Sequence, residues 1–128
     1  MPGESSTGLR RRLLRSLREK VAKSDELLEA FLARLREKYP RSAIVLFGSR
    51  ARGDHLPYSD YDVALVLRDE DCADKVGVAE EARALKPPGL SLDLIVLCVS
   101  ELDDPLVKQM LGAKKVLYDG LGVFEEKH

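Results

Sequence analysis

Two aspartates one residue apart, Asp60 and Asp62, open the apolar run YDVALVL, and a third, Asp93, interrupts a second such run, LSLDLIVLCV. Side chains two apart on a strand project to the same face. Asp60 and Asp62 therefore point with Ala64 and Val66, while Tyr61, Val63, Leu65 and Leu67 face the opposite way. If the two runs are neighbours in one sheet, three carboxylates meet. Gathered in an apolar sheet they raise one another's proton affinity, and desolvation adds to the penalty. Neither strand carries a lysine or arginine on the acidic face, so a divalent cation is the natural compensation. Hard oxygen ligands suit Mg²⁺ held jointly by protein carboxylates and substrate phosphates. Taken singly, each acid has a plainer reading: Asp60 as a strand-start cap, Asp62 as a solvated residue, Asp93 as an exposed alternation.

Upstream lies GSRARG. Gly48 lets the backbone approach a ligand without a Cβ, and Ser49 adds a hydroxyl and an N–H. A strand-to-helix turn of this kind readily binds phosphate oxygens, although an isolated Gly-Ser pair more often marks an ordinary turn.

These groups need a scaffold. Apolar residues recurring every three or four positions over 7–38 predict two amphipathic helices, roughly 7–22 and 25–38, separated at Ser24 and Asp25 and ended by Pro40. AIVLF at 43–47 reads as a buried strand, 61–67 as a second and 90–99 as a third. A helix over 73–85 stops before Pro87, Pro88 and Gly89; a short helix over 102–111 holds Pro105 in its first turn; 114–120 forms a last edge strand. The order of elements indicates an α/β or α+β fold, a mixed β-sheet flanked by helices.

At 128 residues the chain forms one domain, with an N-terminal helical segment (7–38), a core (43–99) and a C-terminal helix and edge strand (100–128). A net charge of −1 argues against clamping nucleic acid by bulk electrostatics and leaves direct contact with it open. Apolar runs are too short to cross a bilayer, and the arginines at 10–12 precede no signal-type core, so a cytoplasmic protein without a membrane partner is expected. Cys72 and Cys98 lack metal-type spacing and are expected to be reduced, with Cys98 buried. The absence of Asn and the single Gln109 resemble thermophile usage. His55 is expected on a surface loop, and Tyr58 is left open. Arg11, Arg15 and Arg18 form a stripe that is either solvated or meets an acidic partner or RNA.

Gly48-Ser49, ten intervening residues and then Asp60-Tyr61-Asp62 resemble the signature of the DNA polymerase β-like nucleotidyltransferase superfamily. GSRARG and SDYDVALV look most like its minimal nucleotidyltransferases, often paired with HEPN-domain proteins in toxin–antitoxin modules. The resemblance spans Ile44 to about Val96 and implies the nucleotidyltransferase fold. It assigns Gly48 and Ser49 to the β and γ phosphates of a nucleoside triphosphate, Asp60 and Asp62 to two Mg²⁺ ions, and Asp93 to the third carboxylate. Arg52 falls where some members carry a basic residue on the departing phosphates; Arg50 is a weaker candidate, and either is otherwise a solvated loop side chain. The implied activity transfers a nucleoside monophosphate, AMP from ATP, onto a hydroxyl. In a protein-adenylylating antitoxin that hydroxyl is a tyrosine of a HEPN partner, and a homo- or hetero-oligomer is compatible with this. The alternative is a nucleotide-binding module that neutralises or regulates a partner by forming a complex.

Overall fold

The computed structural model describes residues 2–53 and 60–124, without the side chains of 2–10 and 16–22. Its element order is α1 (Pro2–Lys38), β1 (Ser42–Phe47), α2 (Ser49–Arg52), β2 (Tyr61–Leu67), a 3₁₀ turn (Asp69–Asp71), α3 (Lys75–Ala84), β3 (Leu92–Cys98), a second 3₁₀ turn (Val99–Asp103), α4 (Pro105–Met110) and β4 (Lys115–Asp119). The four strands form one mixed sheet in the order β3-β2-β1-β4. β1 is antiparallel to both neighbours, whereas β2 and β3 run parallel. A parallel pair needs a crossover, and α3 supplies it.

The sheet is covered on both faces, which is why its strands read as nearly continuous apolar runs. One face carries Ile44, Leu46, Tyr61, Val63, Leu65 and Leu94 against Leu28, Phe31, Leu32 and Leu35 of α1 and Ala79 and Ala82 of α3. The other carries Ala43, Val45, Ala64, Val66 and Leu97 beneath Leu111, with Leu102, Val107 and Phe124 packed against them. The alternation read from β2 is therefore observed: odd positions serve the thicker core and even positions the thinner one. Arg34 donates to the Leu85 carbonyl (2.8 Å) and Arg83 to the Leu94 carbonyl (2.8 Å), tying α1 to α3 and α3 to β3.

Four expectations are corrected. The N-terminal segment is one helix, not two. Asp25 does not turn back to cap a second helix; its carboxylate reaches sideways and accepts a hydrogen bond from the Tyr61 hydroxyl (2.6 Å). Cys72 and Cys98 are joined in a disulfide, with Cα atoms 6.0 Å apart, rather than reduced. Their separation of 26 in sequence hides a neighbourhood made by the fold, in which the Glu101 carboxylate also accepts from Lys75 (2.6 Å) and from the Cys98 amide (2.9 Å). Cys98, placed at the end of β3, is only partly buried. The third strand is also shorter than the run 90–99, because Leu90 and Ser91 approach it from the turn at Gly89.

Candidate active site

β1 ends at Phe47, which pairs with Asp62 of the antiparallel β2. On the other side of β2, the parallel register sets Asp62 directly beside Asp93. Neighbouring strands lie about 4.8 Å apart, so two carboxylates on one face must interact. Asp60 precedes β2 by one residue and is exposed, as is Asp93, while Asp62 is half-buried.

The electrostatics follow from that placement. Burial, then the charges of Asp93 and Asp60, raise the proton affinity of Asp62, and the Arg52 guanidinium opposes them. The other two predicted acids and Arg52 thus all act on Asp62.

Gly48 makes the turn out of β1 with φ 75° and leads into the four-residue α2. A side chain would be strained at this φ, and a Cβ would also collide with the Asp62 carboxylate. Backbone and carboxylate therefore touch: the Gly-Ser turn rests on the acid strand. The turn is closed by the Ala51 and Arg52 amides, which donate to the Gly48 carbonyl (3.2 and 3.1 Å), and by the Gly53 amide, which donates to Ser49 (3.0 Å). Ser49 is half-buried and Arg52 exposed on the same short helix.

Arg50 behaves differently from Arg52. It is only 7% exposed, and its guanidinium lies 4.0 Å above the Tyr61 ring. Tyr61 faces the core, as its place in the alternation predicts. Burial first, then the hydrogen bond to Asp25, push the Tyr61 phenol up to about 12, with Arg50 opposing, so it donates throughout the neutral range. The link from Asp25 to Tyr61 was not read from the sequence; the only signal was the break in apolar spacing at Ser24 and Asp25.

The donor set suits a hard divalent cation. It presents oxygen ligands only, and burial together with the neighbouring carboxylates already raises the Asp62 proton affinity. Among the described residues, no three acidic, His or Cys side chains are gathered closely enough to hold an ion by themselves. Mg²⁺ commonly takes one or two carboxylates and completes its shell with water and substrate phosphates, which fits an acid patch of this kind.

A cavity of about 370 Å³ lies elsewhere, at the opposite end of the sheet, lined by Tyr39, Arg41, Leu67, Arg68, Asp71 and Val78. The chemistry-bearing residues do not line it. Arg11 and Arg15 of the basic stripe are exposed, whereas the Arg18 side chain, His55 and Tyr58 lie outside the described residues. Among the described residues, no helix is long and apolar enough to cross a membrane.

The sequence profile of the nucleotidyltransferase domain family matches residues 28–115. Among curated proteins, none matches significantly. A crystal structure from Sulfolobus solfataricus, of a protein provisionally named a nucleotidyltransferase, superposes with a TM-score of 0.62 at 23% identity, covering 81% of this chain and 87% of that one. That likeness is one of fold.

Proposed function

This chain belongs to the nucleotidyltransferase domain family, and we propose that it is a magnesium-dependent enzyme that moves AMP from ATP onto a hydroxyl of a partner protein. The observation that carries this reading is the placement of Asp62 beside Asp93 and under Gly48, which puts a phosphate-compatible turn and an acid patch in contact.

The steps follow from the side chains. Gly48 and Ser49 hold the β and γ phosphates, where the backbone can approach because no Cβ intervenes. Asp60, Asp62 and Asp93 would hold Mg²⁺, which when bound neutralises charge around the α-phosphate and makes the acceptor hydroxyl more acidic. Asp93, exposed at the open edge of the patch, takes the hydroxyl proton. The acceptor oxygen then bonds to the α-phosphorus as the bond to the bridging oxygen breaks, and pyrophosphate departs with its charge balanced by Arg52. Positioning and charge neutralisation supply most of the acceleration, as in phosphoryl transfer generally.

The acceptor we favour is a tyrosine of a HEPN-domain protein, which would make this chain an antitoxin acting in the cytoplasm. Exposed Leu13 and Leu14, flanked by exposed Arg11, Arg12 and Arg15 on α1, support a protein partner over a small acceptor. A thermophilic setting would reconcile a disulfide with the cytoplasm, since intracellular proteins of hyperthermophiles are often disulfide-rich. The test combines the protein with each nucleoside triphosphate, Mg²⁺ and the product of the neighbouring reading frame, then follows intact masses and released pyrophosphate. One AMP added per acceptor with equimolar pyrophosphate supports the reading. No addition with any triphosphate would favour a binding module that acts by complex formation.

A further inference from the structure

We propose that Asp25 and Tyr61 are positioning residues that, through Arg50, lock the Gly48–Ser49 turn onto the carboxylate strand. Its consequence for catalysis rests on the nucleotidyl-transfer reading; its consequence for the turn does not.

Three elements converge behind the acid patch. Asp25 comes from α1, Arg50 from α2 and Tyr61 from β2. Tyr61 stands between Asp60 and Asp62, and Arg50 directly follows Ser49. A hydrogen bond of 2.6 Å from the Tyr61 hydroxyl to Asp25 fixes the ring, and the ring face carries the Arg50 guanidinium at 4.0 Å. Both Tyr61 and Arg50 are buried, at 3% and 7% exposure. A hydrogen bond to an ionised carboxylate is stronger than a neutral one, and a cation over a desolvated aromatic face is worth more than at an exposed one.

The turn needs such an anchor. α2 has only four residues and its start carries no side-chain cap. A helix of one turn has little stability of its own, so tertiary contact must hold it. Through Arg50, the turn that would cradle phosphates is tied to the strand that carries Asp60 and Asp62. Through Asp25, the ring that bears this contact is tied to a long helix packed on the core. Adjacent positions along β2 divide the labour: Asp62 faces the acid patch, while Tyr61 faces inward and keeps the parts in register.

The test measures binding of a non-hydrolysable ATP analogue with Mg²⁺, together with backbone amide resonances. The proteins are the wild type, Asp25→Ala, Tyr61→Phe, their double variant and Tyr61→Leu. Removing the hydrogen bond by Asp25→Ala or Tyr61→Phe is expected to weaken the analogue about fivefold. The double variant should be no weaker than either single one, because both changes break the same bond. Tyr61→Leu removes the ring as well and should cost at least about tenfold. In each variant the Ser49, Arg50 and Gly53 amide resonances should shift while those of Leu65 and Val96 stay in place, a pattern that general destabilisation would not give. Single effects that add, or turn resonances that do not move, would overturn the proposal. The two conservative variants decide the matter if Tyr61→Leu does not fold. A wild type that does not bind the analogue counts against the nucleotidyl-transfer reading, and the resonances then still decide whether the lock exists.

Discussion

Asp62 stands directly beside Asp93 across the parallel β2–β3 ladder, and Gly48 has no room for a Cβ above it. Two like charges have been set next to each other, one of them half-buried. A functional site often carries such local cost, and here it is measurable.

Asp62→Asn should stabilise the fold while abolishing transfer. The carboxyl of Asp62 binds its proton more tightly in the folded state than its ordinary value of 3.8. Its ionisation therefore opposes folding, and the wild type loses stability as pH rises from about the ordinary value through the raised one. Asparagine removes this dependence. Thermal unfolding followed from pH 3 to pH 8 should show the variant gaining on the wild type across that window and holding a constant advantage above it. An advantage that shrinks with pH would contradict the account.

Gly48→Ala acts on two structures at once. The added methyl meets the Asp62 carboxylate, and φ 75° is unfavourable for alanine. A loss of about 1–3 kcal/mol in denaturant unfolding is expected, with activity falling at least about a hundredfold because a displacement near 1 Å already has that effect.

Much of this was legible in the residues themselves. The period-two pattern of YDVALVL separated Tyr61 from Asp62 correctly, because a strand buried on both faces keeps its alternation even when both sides are apolar. Asp93 was legible as an acid in a run where a leucine would bury; the fold instead leaves it exposed, in register with Asp62. The fusion of two expected helices into α1 was not, since Ser24 and Asp25 are good caps locally and only the distant Tyr61 hydroxyl diverts the Asp25 carboxylate. The same holds for Cys72 and Cys98, and for the burial of Arg50 against Tyr61: each is a contact made by the fold rather than by neighbours in sequence.

Reducing the Cys72–Cys98 bridge should cost about 3 kcal/mol on loop-closure grounds, seen as a lower denaturant midpoint with reductant. Transfer under native conditions should be unchanged. Cys98 lies at the far end of β3 from Asp93, about 16 Å away along the strand.

Arg52→Ala should raise the proton affinity of Asp62 further, since the arginine opposes its neighbours' charges. The acid limb of the pH–rate profile then moves to higher pH. Affinity for pyrophosphate as a product inhibitor should fall about tenfold, as for loss of a charge-assisted contact.

The most direct measurement is a calorimetric titration of a non-hydrolysable ATP analogue into the protein with Mg²⁺ or with EDTA, for the wild type and Asp62→Asn. If the Gly48–Ser49 turn and the acid patch form one metal–triphosphate site, the wild type binds tightly only with Mg²⁺, and the variant loses that metal-dependent affinity while staying folded. Equal affinity in EDTA, or Mg²⁺-dependent binding undiminished in Asp62→Asn, would contradict it.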